Sequence, residues 1–130
     1  MNRIIASSLL LIAVFGSGQA AASEESKQFT ARGLAELNAK NLEQARDLLE
    51  RAVLADPDDI YALYYRGVVA ARLRNFEEAI PDFQKVLAAR PDLEDAALDL
   101  GIALLETENF REAIPWLAQA QKAERLAPRA

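Results

Sequence analysis

Residues 67–101 read GVVAARLRNFEEAIPDFQKVLAARPDLEDAALDLG, and this stretch decides the fold. It begins and ends on a glycine, and its 34-residue step continues into the sequence on both sides. Four sets of residues keep this step in one register: Gly33, Gly67 and Gly101; Ala45, Ala79 and Ala113; Asn41, Asn75 and Asn109; Pro57 and Pro91. Self-similarity at one fixed period is typical of a solenoid made of stacked supersecondary units. The chain therefore contains three units, over about residues 26–59, 60–93 and 94–127.

Each unit is predicted to hold two helices. The second helix is expected to begin after the asparagine, whose side chain accepts from unpaired backbone N–H groups. Three residues later stand the partners of a capping box, Gln44, Glu78 and Glu112. Because the residue before a proline is pushed out of the helical region, Pro57 and Pro91 end these helices. Asp58 and Asp92 are then predicted to cap the next first helix. No strand-like alternation occurs after residue 22.

The three repeated glycines fall inside the predicted first helices. A glycine there costs about 1 kcal/mol relative to alanine, so three in register need a compensating reason. Close approach of the paired helix, at Ala45, Ala79 or Ala113, supplies one, since a larger side chain would push the helix axes apart.

The N-terminal residues have the pattern of a secretory signal peptide. Arg3 precedes the apolar run Ile4–Phe15, and small residues follow up to Ala22. The run is short for a bilayer span, which takes about 20 apolar residues, although an uncleaved anchor is the alternative. We predict a signal peptide over residues 1–22, cleaved after Ala22 or, as second choice, after Ala20. The product would be periplasmic or secreted, without membrane insertion.

The charge balance of the exported chain excludes one class of partner. The whole chain has 15 Lys and Arg against 20 Asp and Glu, so the loss of Arg3 gives a formal net charge of −6. Such an acidic chain is repelled by phosphate backbones, and a nucleic acid is not expected as partner.

The residues needed for most catalytic sites are absent from the sequence. It contains no His and no Cys, which excludes nucleophile–His pairs and the common zinc sites. Ser23 and Ser26, the only serines after the signal peptide, are expected at a frayed terminus. Asp56, Asp58 and Asp59 lack the spacing of a calcium loop and are interpreted as a solvated turn. We therefore expect no metal, no cofactor and no enzymatic activity.

The repeated positions resemble the tetratricopeptide repeat family, through Gly33/Ala45/Pro57, Gly67/Ala79/Phe83/Pro91 and Gly101/Ala113. The resemblance implies an all-α fold, a right-handed α-solenoid of three helix-turn-helix hairpins. This chain departs from the pattern at Arg32 and Arg66, where the family usually has leucine, and at Arg125, where the terminal proline is missing.

The resemblance also implies a concave surface, lined by the first helices, that holds peptides or helices. The residues that it places there are Leu34, Leu37, Tyr61, Tyr64, Val68, Leu98, Ile102 and Leu105. Several of them could instead pack between repeats, since apolar residues at helical spacing are usually core. Asp95, Asp99 and Glu106 are expected to make one end of the surface acidic. Some relatives clamp a peptide carboxylate with Lys, Asn and Arg, but Thr30, Leu34, Asp95 and Asp99 occupy those places here.

Two functions follow from this reading of the sequence. The first is an exported adaptor that binds a protein or peptide partner of an envelope complex. The second is a structural module that assembles through its terminal helices. Polar Gln121 and Glu124 on the last helix favour the adaptor, because a capped solenoid needs a polar outer face. Trp116 and Leu117 favour assembly, because no further helix follows to cover them.

Overall fold

The computed structural model describes residues 22–126, and all of their regular structure is helical. Within these residues six helices follow one another: α1 Glu24–Asn38, α2 Leu42–Ala55, α3 Ile60–Arg72, α4 Phe76–Ala89, α5 Glu94–Glu106 and α6 Phe110–Leu126. The predicted all-α fold is confirmed. The signal peptide predicted over residues 1–22 lies, except for Ala22, outside the described residues.

The helices pack as three hairpins, α1 with α2, α3 with α4, and α5 with α6. The hairpins stack through contacts of α2 with α3 and of α4 with α5. The first helices also contact each other, α1 with α3 and α3 with α5, whereas within residues 22–126 the second helices do not. The first helices thus form the inner layer of a curved α-solenoid, and the second helices form its outer layer.

The core lies between the two layers and is built from small and branched apolar side chains. Its largest fully buried residues include Phe83, Leu49, Leu100, Leu104, Val69 and Val86. Ala45, Ala79 and Ala113 are completely buried at the start of the second helices. A core of this kind supplies the main stabilisation, because the sequence offers no disulfide.

The predicted close approach at the glycines is confirmed, but the contact partner was wrong. A Cβ built on Gly67 would lie 2.8 Å from Cε1 of Phe83, and one on Gly33 would lie 2.7 Å from Cγ of Leu49. On Gly101 the nearest atom would be Cδ2 of Leu117, at 2.6 Å. Each glycine therefore faces the side chain one helical turn beyond the repeated alanine, since that longer side chain reaches across the hairpin.

The hairpin turns are closed by the backbone. Lys40, Arg74 and Glu108 have positive φ angles of 64°, 65° and 63°, which is the left-handed conformation that ends many helices. The next N–H in each turn donates five residues back, as from Asn75 to the carbonyl of Ala70 at 2.8 Å. Asn41 and Asn75 precede α2 and α4 as predicted, but neither side chain makes a capping hydrogen bond. Asn41 Nδ2 instead donates to Glu36, 2.8 Å away, so the capping boxes predicted there were wrong.

The turns between hairpins differ from the prediction in their caps. α2 ends at Ala55 and α4 ends at Ala89, each two residues before a proline, as expected. However, α3 is capped by buried Asp59 rather than Asp58, since Asp59 Oδ1 accepts from the N–H groups of Tyr61 and Ala62. α5 follows Leu93 without a side-chain cap, because leucine stands where the second hairpin has Asp59.

The serines at the start of α1 are ordered, so the expectation of a frayed terminus was wrong. Ser23 accepts a hydrogen bond from the backbone of Ser26 and caps α1. The Ser26 side chain is fully buried, and its hydroxyl lies 2.7 Å from Asp59 and 3.0 Å from the carbonyl of Ala52. The contact joins the first hairpin to the second, since Ser26 lies on α1 and Asp59 caps α3. The Ser26 hydroxyl also supplies a hydrogen-bond donor, which a buried carboxylate requires.

Candidate functional site

The inner surface of the solenoid is the solvent-facing side of α1, α3 and α5, since α2, α4 and α6 cover their other side. Apolar side chains remain exposed on it. Leu98, Ile102 and Leu105 follow one another at helical spacing on α5, and each is 40–42 % exposed. Tyr61 on α3 is 62 % exposed. These four residues offer apolar area that the fold itself does not use.

Tyr64 packs between repeats, which was the alternative to a place on the binding surface. Its hydroxyl donates to Asp99 Oδ2 at 2.9 Å, which ties α3 to α5. Its ring packs edge-to-face on Tyr65, with 5.2 Å between centroids, and contacts Phe83 at 6.0 Å. Burial, with the nearby Asp99 carboxylate, raises the pKa of the Tyr64 hydroxyl. Tyr64 is therefore half-buried, and only part of it is open to a partner.

Three other residues predicted on this surface are covered to different degrees. Leu37 is 3 % exposed and packs in a cluster with Ala45, Leu49 and Val69. Its assignment to the binding surface was wrong, because the last turn of α1 is enclosed by α2 and α3. Leu34 and Val68 are half-buried against the same cluster. They can contribute only an edge to a binding surface.

The acidic end of the inner surface is partly neutralised. Glu106 pairs with Arg74, with 3.2 Å between Oε2 and Nη2, and Asp99 receives the Tyr64 hydroxyl. Arg72 also lowers the pKa of Asp99, but burial is the larger effect and leaves that pKa raised. Asp95 stays exposed in the first turn of α5. A cationic partner group is therefore favoured at Asp95 more than along the whole surface.

The Tyr64–Asp99 hydrogen bond can be tested by titration. In Tyr64→Phe, the pKa of Asp99 is expected to rise further, because the bond from Tyr64 stabilises the carboxylate. Because the pKa of Asp99 is raised in the folded state, the folded protein binds more protons than the unfolded chain at a pH between the two pKa values. Stability therefore falls as the pH rises from the ordinary carboxyl pKa through the folded one, and it should fall further in the variant. NMR titration of the Asp99 carboxyl carbon measures this, with Tyr65→Phe as control; an unchanged pKa in Tyr64→Phe would contradict the bond.

The positions of a carboxylate clamp are unsuited to a peptide terminus. Thr30 is buried, and its hydroxyl has no hydrogen-bond partner among the residues that the structure describes. Leu34 is apolar, and Asp95 and Asp99 would repel a carboxylate. The side chains at these four positions give no cationic group for a terminal carboxylate.

A cleft of about 380 Å³ between α2, α3 and α4 is lined by a cluster of charged side chains. Arg66 pairs with buried Asp82 through two hydrogen bonds, at 2.8 Å from Nε and 2.7 Å from Nη2. Arg46 lies 3.3 Å from Glu50 and 3.6 Å from Glu78. The sequence signal for the Arg66–Asp82 pair was Arg66, which stands where the family usually has leucine. Its partner Asp82 is also unusual, because the equivalent residues of the other two units are apolar, Leu48 and Trp116.

Metal-binding clusters and membrane-spanning helices are both absent from residues 22–126. Among them, no group of three or more carboxylates is arranged to hold a metal ion. In the same segment, no helix has both the length and the apolar character needed to cross a bilayer.

Comparison with known proteins identifies the repeat. A tetratricopeptide repeat profile matches residues 31–98, and a second profile of the same description matches residues 70–130. No curated protein matches the chain.

Solved structures have the same fold. The structure "MamA AMB-1" is 24 % identical, with a TM-score of 0.72, and the match covers 81 % of this chain and 57 % of that one. MamA (41-end) from Desulfovibrio magneticus RS-1 is 26 % identical, with a TM-score of 0.72 and 81 % and 59 % covered. This chain thus spans less than two thirds of either MamA chain. The second tetratricopeptide domain of Spaghetti (RPAP3), bound to an HSP90 peptide, is 17 % identical, with a TM-score of 0.71 and 75 % and 91 % covered. These likenesses show the fold, and the profile match over more than half of the chain shows that it belongs to the tetratricopeptide repeat family.

Proposed function

We propose that the protein is an exported, non-enzymatic adaptor whose inner surface holds an apolar segment of one partner protein. The observation that carries this proposal is the exposed set Tyr61, Leu98, Ile102 and Leu105 on adjacent first helices. Apolar side chains that a fold leaves in solvent are available to a peptide or helix laid along the groove. Tyr61 adds a polar tip to its apolar ring, a combination enriched at binding hot spots.

The charge of the surface defines the partner further. Exposed Asp95 favours a partner with Lys or Arg beside its apolar residues. The RPAP3 domain was solved with the peptide SRMEEVD, which is acidic at its C-terminal end. A peptide of that kind would meet Asp95 and Asp99 on this chain, so the likeness supports peptide binding as a class and not that ligand.

The binding test begins with a pulldown from envelope extract, using residues 23–130, to obtain the partner. Tyr61→Ala combined with Ile102→Ala should then weaken its binding at least about tenfold in calorimetry, since truncated hot-spot residues cost about 2 kcal/mol or more. Both residues are exposed, so circular dichroism should stay helical. Leu54→Ala is the matched control, because Leu54 is 82 % exposed but lies on α2. Equal affinities for the double variant and the control would refute binding on the inner surface.

Export is supported by the sequence before α1 and by the way α1 begins. Cleavage after Ala22 leaves Ser23 as the first residue, and Ser23 is the cap of α1. Its backbone nitrogen lies 3.1 Å from Asp56 Oδ2, so the new ammonium group would have a carboxylate beside it. That pairing would offset the unfavourable positive charge at a helix N-terminus.

Intact mass of the exported protein provides the test of cleavage. The expected mass is that of a chain that begins at Ser23 or, as second choice, at Ala21. A protein that keeps Met1–Phe15 would show instead that the segment is a membrane anchor.

Self-assembly is the alternative function, and the exposed apolar side chains of α6 are the observation in its favour. Phe110 is 58 % exposed and Ile114 is 64 % exposed. Sedimentation velocity separates the two functions. The sedimentation coefficient of an adaptor stays that of a monomer as the protein concentration rises, whereas that of a self-assembling module increases.

A further inference from the structure

The cleft between α2, α3 and α4 lies where the first two hairpins meet, on the side of the solenoid away from the inner surface. Within residues 22–126 the outer helices α2 and α4 do not contact each other, whereas α3 contacts both. A space of about 380 Å³ is left between the two outer helices and α3. This volume is within the range of about 300–1,000 Å³ of small-molecule pockets, so one large side chain of a partner can enter it.

The residues that line the cleft differ in size and charge from those one repeat later. Four of the later positions carry large apolar side chains that lie in the core or pack against it: Ile80, Leu100, Leu104 and Trp116. Asp82 stands where the later repeat has Trp116, and Ala70 stands where it has Leu104. Both differences shorten the side chain. The space between the first two hairpins is therefore open where the later junction has an indole ring and a leucine.

The charged groups that line the cleft are paired with one another. Arg66 donates to Asp82 from Nε and Nη2, at 2.8 Å and 2.7 Å. Arg46 Nε lies 3.3 Å from Glu50, and its Nη2 lies 3.6 Å from Glu78. These contacts use the N–H edges of both guanidinium groups and fix their planes. A guanidinium held by its edge keeps its flat faces for stacking on an aromatic ring.

An aromatic side chain suits these surroundings better than a further charged one, because the carboxylates of the cleft already have cationic partners. A guanidinium over an aromatic face is attracted by the ring, and tryptophan attracts it most. Pro81 adds apolar contact. Glu50 and Glu78, whose side chains are exposed, can accept a hydrogen bond from an indole N–H. We infer that the cleft binds a tryptophan side chain of a partner protein, stacked on Arg46 and Arg66.

This site is separate from the inner surface. Tyr61 and Ile102, which belong to the proposed binding groove, do not line the cleft. The inference therefore does not rest on the proposed function, and a partner could use either surface or both.

The test is an NMR titration of the isotopically labelled full chain with N-acetyl-tryptophanamide as the probe. Saturable shifts are expected for the backbone amides of α2, α3 and α4 that border the cleft. The affinity should be in the millimolar range, because a single side chain offers few contacts. N-acetyl-leucinamide is the apolar control and N-acetyl-lysinamide is the charged control, and neither should give comparable shifts.

Two variants of the cleft and one of the inner surface complete the experiment. Ala70→Leu should abolish binding, because it places in the cleft the residue that the next repeat has at this position. Arg46→Leu should weaken binding about two- to fivefold, the effect of one exposed cation–π contact. Arg46 makes only surface ion pairs, so this variant should stay folded and decides the test if Ala70→Leu does not fold. Tyr61→Ala should leave binding unchanged. Circular dichroism checks the fold of each variant.

Three results would overturn the inference. The first is the absence of saturable shifts at the cleft. The second is binding that persists unchanged in folded Ala70→Leu or in Arg46→Leu, since the probe would then occupy another place. The third is equal or tighter binding of N-acetyl-lysinamide, which would show that the carboxylates and not the guanidinium faces recognise the ligand. None of these results would bear on the inner groove.

Discussion

Replacing Arg66 by leucine is expected to destabilise the protein by about 3 kcal/mol, the low end of the range for breaking a buried ion pair. The reason is Asp82, whose side chain is 8 % exposed and would lose both hydrogen bonds from the guanidinium. The low end applies because Arg66 itself is about one third exposed. Chemical denaturation followed by circular dichroism measures the loss.

The double variant Arg66→Leu with Asp82→Leu is the decisive control. The third hairpin places Leu100 and Trp116 at the equivalent positions, so this fold accepts an apolar pair there. Replacing both charges removes the desolvation cost together with the attraction, and such replacements are often neutral or stabilising. We expect the double variant to be about as stable as the unmodified protein. Additive losses from the two substitutions would show that the pair is not coupled.

Gly67→Leu is expected to cost about 3 kcal/mol, the upper end of the usual range for overpacking. Even a Cβ at this position would lie 2.8 Å from Phe83, which is fully buried and cannot turn away. The gain in helix propensity, about 1 kcal/mol, offsets only part of this. Arg74→Leu, on the hairpin turn, should change stability little. Equal thermal midpoints for these two variants would refute the close-packing argument.

Alanine at two of the glycines separates packing from propensity. Gly67→Ala should destabilise, because the Phe83 ring is held on all sides. Gly101→Ala should cost less or be neutral, although its Cβ would lie 2.6 Å from Leu117. Leu117 is only half-buried on the last described helix, so it can move aside while the helix gains the propensity of alanine. A larger loss at Gly101 than at Gly67 would contradict this reasoning.

The sequence alone predicted the repeat, the number and order of the helices, and the residues where α2 and α4 begin and end. Pro57 and Pro91 stop helices through local sterics, and the asparagines stand one residue before α2 and α4, so these features need no neighbour to decide them. The alanines and glycines indicated close helix contacts, because a larger side chain at these positions would push the helix axes apart. Because the units repeat at a constant step of 34 residues, equivalent residues lie on the same face of their helix in every unit.

The partners of polar side chains could not be predicted, because they depend on distances between hairpins. Ser26 was expected to fray, yet it is buried against Asp59, 33 residues away. Asp58 was expected to cap α3, but its neighbour Asp59 does so. A shift of one residue in a turn redirects a short side chain by several ångströms, and sequence spacing does not resolve that difference.

Exposure of the apolar residues was decided only by the tertiary structure. Leu37 and Leu105 occupy equivalent places in the first and third units, yet the first is in the core and the second is exposed. Ile80 on α4 is half-buried against the core, whereas Ile114, one repeat later on α6, is exposed. The sequence determined which residues share a face, because the helical period is local. Burial of that face requires a neighbouring helix, and which helices lie side by side is decided by the tertiary structure.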